Sequence, residues 1–101
     1  MSDKDFKLPS PTEVAVLELL IGKEMYGLEM VRASGRLKRG GIYVTLNRME
    51  DKGLISSRVT DESGPTAGRR IYSVTGHGQR AYSAWRQAQV TFGSVFNTGA
   101  A

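Results

Sequence analysis

The chain has 101 residues, 40% of them hydrophobic, no cysteine and a formal net charge of +4. This suffices for one domain with a modest core, and it excludes a disulfide framework and any thiolate metal site. No apolar run approaches the ~20 residues a bilayer span needs and no basic-then-apolar leader opens the chain, so a soluble cytoplasmic protein is expected.

The charge is unevenly placed. Residues 1–31 carry three lysines against six acids, a net −3, whereas residues 32–80 carry ten Lys or Arg against four acids, a net +6. A polyanion-binding surface requires such concentration, although a solvated basic face or one that serves an acidic protein partner would look the same.

Residues 1–9 read as a polar tail. Ser10-Pro-Thr-Glu13 then opens a first helix: Ser10 can cap, Pro11 supplies the preset φ of a first helical residue, and Glu13 completes a capping box. Val14, Leu17 and Ile21 recur at helical spacing, Val16 and Leu20 widen the stripe, and Gly22 ends it. A second short helix is predicted from about Gly27 to Ser34, with Leu28 and Val31 turned inward and Ser34-Gly35 as the break.

The stretch from Arg39 to Ile55 is the most informative. Ile42, Leu46 and Met49 share one side of a helix of ~3.6 residues per turn. The opposite side carries Gly40, Gly41, Val44, Asn47, Arg48 and Asp51. A helix that approaches a groove with its N-terminal end needs small residues there, because bulk would hold the backbone away from the bases.

Gly53 stops this helix and a strand follows, with Ile55, Ser57 and Val59 alternating against Ser56, Arg58 and Thr60. Arg70, Tyr72 and Val74 alternate likewise in a second run. The glycines and proline of residues 61–68 between them predict a hairpin loop. Three short helices followed by a basic hairpin read as a winged helix-turn-helix, an α+β and mainly helical fold, over residues 10–75.

Thr75 caps a fourth helix over residues 76–96. Ala81, Trp85, Ala88 and Phe92 recur at i, i+4, i+7 and i+11, with Tyr82 and Phe96 flanking. This stripe exceeds what three helices cover, and the same helix of a second copy would complete it. Folding back of Trp85 and Phe92 onto the first helix is the alternative. Residues 97–101 read as a tail.

From about Pro11 to Arg86 the chain resembles the PadR-like transcriptional regulators, on four segments that follow in order. Met25-Tyr-Gly-Leu-Glu-Met30 resembles the family's Tyr-Gly-Tyr/Leu-Glu opening of the second helix. Gly41-Ile-Tyr-Val-Thr-Leu-Asn-Arg-Met-Glu50 is similar to its Leu-Tyr-Pro-x-Leu-x-x-Leu-Glu recognition helix. Gly53-Leu-Ile55 resembles the exit into the wing. Gly68-Arg-Arg-Ile-Tyr-Ser-Val-Thr-Gly-His-Gly78 resembles the Gly-x-x-Arg-x-x-Tyr-x-Leu-Thr-x-x-Gly link to the dimer helix. Two departures stand out: Val44 replaces the usual proline, and Gly40-Gly41 replaces a pair in which a hydroxyl is usual, so phosphate contacts there would fall to backbone amides. The resemblance implies a sequence-specific double-stranded DNA-binding regulator, a repressor acting as a homodimer. It also implies the small type of member, with one dimer helix and no separate ligand domain.

The candidate DNA-binding residues are Lys38, Arg39, Gly40, Gly41, Tyr43, Val44, Asn47, Arg48, Arg58, Arg69 and Arg70. Arg48 suits guanine and Asn47 adenine, or both are simply solvated. Tyr43 could give its hydroxyl to a phosphate or pack on the second helix. Arg58, Arg69 or Arg70 could touch phosphate or the minor groove, or pair with Asp61 or Glu62 across the hairpin. The candidate dimer residues are Ala81, Tyr82, Trp85, Ala88, Phe92 and Phe96, whose aromatics could instead line a slot for a planar effector. His77 alone anchors no metal site, and no nucleophile–base pair or phosphate-binding glycine loop is visible. The sequence thus predicts no enzyme, no cofactor and no metal, and leaves two rival functions open: a protein-binding winged helix and a ligand-responsive sensor.

Overall fold

The computed structural model describes residues 8–60, 64 and 68–91 in full and the backbone of 92–100. Its elements run α1 (Pro11–Gly22), β1 (Met25–Tyr26), α2 (Gly27–Ala33), α3 (Ile42–Asp51), β2 (Ile55–Val59), β3 (Arg70–Val74) and α4 (Gly76–Ala100). The sheet is antiparallel with order β1-β3-β2, in register Met25 to Tyr72 and Ser57 to Tyr72. This is the winged helix-turn-helix predicted above.

α1 begins as Ser10 and Glu13 require: the Glu13 N–H donates to Ser10 Oγ at 3.3 Å, and the Ser10 N–H donates to Glu13 Oε1 at 2.9 Å. The helix lies at the centre of the domain, against α2, α3, β3 and α4. Five consecutive residues, Glu13 to Leu17, are therefore buried, more than one stripe. At its far end Leu20 takes the inward side and Ile21, expected there, is 45% exposed.

α2 also differs from expectation. Leu28 and Val31 are half-buried, while Gly27 and Met30, at i and i+3, define the inward side. The reason is β1, which the sequence reading missed: by pairing with β3 it fixes where α2 starts. The Tyr26 N–H donates to Glu29 Oε1 at 2.8 Å and closes that start. Leu17, Leu20, Met25, Met30, Leu37, Ile42, Leu46, Met49, Leu54, Ile55 and Tyr72 fill the core.

Gly40 and Gly41, read as part of the third helix, lie in the turn before it. The Gly41 and Ile42 N–H groups both donate to the Lys38 carbonyl, and the Gly41 carbonyl accepts from Thr45 as the helix begins. At the other end Gly53 has φ +76°, the left-handed conformation that lets the chain leave α3 and enter β2 across only three residues.

Thr75 joins the wing to α4. Its Oγ1 lies 2.6 Å from the Gly53 carbonyl oxygen and 3.0 Å from that of Leu54, and it accepts the Gly78 N–H at 3.0 Å. The Leu54 carbonyl also accepts the Thr75 N–H at 3.1 Å. Gly78 sits so close to this carbonyl that a Cβ would collide with Leu54 O and meet Val74 Cγ2 at 2.9 Å.

Two of the predicted ends need correction or lie partly out of view. Residues 97–100, read as tail, continue α4, which carries no proline to stop it. Of residues 1–9, Pro9 is buried and residues 1–7 lie outside the described residues, as does most of the hairpin loop.

Candidate nucleic-acid interface

α3 presents its apolar side, Ile42, Leu46 and Met49, wholly to the core. That anchoring turns Tyr43, Val44, Asn47, Arg48 and Asp51 outward, and all five are exposed. Lys38, Arg39, Gly40 and Gly41 in the preceding turn are exposed too, as are Arg58, Arg69 and Arg70 on the hairpin. Thus all the candidate DNA-binding residues lie at the surface, on α3, its leading turn and the wing.

The charges are not equally available. Lys52, counted in the basic stretch, donates to Glu13 Oε2 at 2.7 Å and ties the end of α3 to the start of α1. Arg58 meets Glu24 at 3.3 Å; the pairing of a wing arginine with Asp61 or Glu62 falls outside the described residues. Arg70 donates to Ser57 Oγ at 3.1 Å, and Ser57 donates to Glu50 at 2.9 Å, so an α3 carboxylate is engaged by the wing. Among the described residues Lys38, Arg39, Arg48 and Arg69 have no ion-pair or side-chain hydrogen-bond partner.

For Tyr43 the packed reading is the one observed. Its ring comes within 2.9–3.1 Å of where a Cβ on Gly27 would stand, so it packs on the start of α2, yet it remains 47% exposed. The N–H groups of Tyr43 and Val44 have no backbone partner among the described residues. Two donors thus face outward at the positive end of the α3 dipole. Beside them Thr12, Arg36, Lys38, Gly41 and Thr45 line a small notch of about 230 Å³. Arg36 was not among the candidates; its place two residues before Lys38 was the available signal. A larger open groove of about 510 Å³, between α1 and the loop after α2, lies away from the candidate residues and shares only Arg36 with the notch.

The Glu13–Lys52 pair carries a pH signature. Burial is the largest influence on Glu13 and raises its pKa, but Lys52 and the Ser10 donors outweigh it and hold the carboxyl below the ordinary 4.5. A depressed folded pKa stabilises the fold above the unfolded value, and the gain is lost as pH falls through the folded one. Glu13→Gln is therefore expected to melt lower than the parent at pH 7, with the gap closing as the pH falls below the ordinary 4.5 and through the lowered folded value. The difference should be about 1 kcal/mol, because Lys52 is itself 56% exposed. Parallel melting curves at every pH would contradict it.

On α4, Ala81 and Tyr82 pack on the core, and Trp85 and Ala88 are half-buried. Tyr82 and Trp85 stack with centroids 6.0 Å apart at 21°, and Arg86 lies 6.0 Å from the Tyr82 centroid. The side chains of Phe92 and Phe96 lie outside the described residues. His77 is exposed. No helix among the described residues is long and apolar enough to cross a membrane.

The model of the transcriptional regulator PadR-like family matches residues 16–84, from the middle of α1 through the wing into the first third of α4. The chain belongs to the PadR-like family of transcriptional regulators. Among solved structures, a PadR-family transcription regulator from Clostridium difficile is similar at 26% identity and a TM-score of 0.79, over 91% of this chain and 100% of that one. A PadR-like transcription factor from Bacteroides fragilis shares the fold at 20% identity and a TM-score of 0.75, over 85% and 86% of the two chains. Bacillus subtilis PadR in complex with operator DNA matches at 24% identity and a TM-score of 0.67, over 74% of this chain but 46% of the larger protein. No curated protein matches the chain.

Proposed function

We propose that this PadR-like regulator is a cytoplasmic homodimeric repressor that binds a pseudo-palindromic operator in double-stranded DNA. In this reading residues 10–75 hold the duplex and α4 joins two copies. α3 enters the major groove, where Arg48 and Asn47 reach base edges and Lys38, Arg39 and the free amides of Tyr43 and Val44 take phosphates. The wing arginines, Arg69 foremost, hold the flanking backbone.

The observation that carries this reading is the pairing pattern. Lys52, Arg58 and Arg70 have protein partners, whereas the cations on and before the exposed side of α3 have none among the described residues. A face that merely stayed soluble would have no need to keep its glycines and free amides at one helix end. Operator DNA on a family relative supports the same partner.

α4 supports the dimer. At ~1.5 Å per residue its 25 residues extend about 37 Å, whereas its packing on the core is through Ala81 and Tyr82, and Val90 further along is 58% exposed. A second copy would cover that length. The sensor reading draws less support, since one face of Trp85 is stacked on Tyr82.

Selection of bound sequences from a random duplex pool tests the proposal. It should return an inverted repeat with half-sites about one helical turn apart or a multiple of it. Arg69→Ala should weaken selected and random duplex alike and reduce the salt slope by about 0.9 per subunit. Salt-independent binding, or none at low salt, would favour an acidic protein partner.

A further inference from the structure

The outward face of α3 carries an exposed aliphatic residue near its start. Val44 is 54% exposed, third in the helix, and shares its side with Asn47 at i+3 and Arg48 at i+4. The core does not need it, because Ile42, Leu46 and Met49 already fill the inward side. Tyr43 does not need it either, being packed on Gly27. A β-branched residue on an exposed helix face gives up helix propensity and leaves methyl groups in water.

A major groove displays one apolar group, the 5-methyl of thymine. Valine is a suitable reader, since its χ1 is stiff in a helix and its methyls are held in one direction before contact. Gly40 and Gly41, with open space at both Cβ positions, leave the backbone before it free to come close. We propose that Val44 reads a thymine 5-methyl group, one base step or two from the bases reached by Arg48 and Asn47. This inference rests on the DNA-binding reading above and adds to it the base type at one position of each half-site.

Replacement of thymine by deoxyuridine removes that methyl and keeps base pairing and every hydrogen-bonding edge. The test uses the full chain and the duplex selected from the random pool, with each thymine replaced in turn. One thymine per half-site should lose about fourfold in affinity on replacement, the value of one buried methyl group. Val44→Ala should lose a similar factor on the thymine duplex and become indifferent to deoxyuridine at that position. Arg48→Ala, run beside it, should keep the thymine preference. The inference is overturned if every deoxyuridine duplex binds as well as its parent, if Val44→Ala retains the preference, or if the selected half-site holds no thymine within two steps of the Arg48 base. In each of those outcomes DNA binding itself stands. If no duplex is enriched at all, the DNA-binding reading fails first and this one with it. Val44 is exposed, so an unchanged melting temperature shows that the alanine variant remains folded.

Discussion

Gly78→Ala is expected to lower stability by roughly 3 kcal/mol or more, which for a domain of this size means a melting temperature about 15 °C lower. In an ordinary helix the sign would be the reverse, because alanine outranks glycine by ~1 kcal/mol. Here the added Cβ would run into the Leu54 carbonyl oxygen, which cannot rotate away. That carbonyl already accepts from the Thr75 N–H and lies within reach of its hydroxyl. Moving it would open the joint through which α3, the wing and α4 share one frame. Gly22→Ala is the control, since nothing lies within 4 Å of its Cβ position. It should leave the melting temperature unchanged or raise it slightly. Equal effects from the two substitutions, measured by thermal unfolding, would contradict the close packing of Gly78 on Leu54.

The second large effect is on recognition. Arg48→Ala is expected to weaken the selected duplex about 5- to 150-fold, the range of one bidentate arginine–guanine pair, while random duplex loses only a few-fold. Arg48 has no partner among the described residues, and its side chain projects one turn beyond Val44 on the same side. Its removal should leave the fold intact, because the core beneath is Ile42, Leu46 and Met49. Competition titrations of selected against random duplex measure the ratio directly. A ratio unchanged from the parent protein would assign Arg48 to phosphate rather than to a base.

Local chemistry made much of this fold readable. The Ser10–Glu13 box, the exit at Gly53 and the alternation in both hairpin strands each depend on residues within a few positions of one another. What stayed hidden depends on distant ones. β1 is two residues long and its partner Tyr72 lies far along the chain, so no periodicity could reveal it. Its effect on α2 then turned Met30 inward where Leu28 was expected. The same holds for charge: Lys52 counted toward the basic stretch until its Glu13 partner, 39 positions away, came beside it. Gly78 read as a motif position, and only the approach of Leu54 gives it a steric reason. For the interface the outward residues of α3 followed from helical period alone, whereas the lack of a partner for Lys38, Arg39 and Arg48 among the described residues required the structure.

Amide chemical shifts of the labelled protein, recorded as unselected duplex is added at low salt, report which surface meets the nucleic acid. The largest changes are expected in residues 38–48 and at Arg69 and Arg70, with little at Glu18 and Leu19 on α1. Shifts centred on α1 and the groove beside it, with Tyr43 to Arg48 unmoved, would mean that another surface meets the duplex.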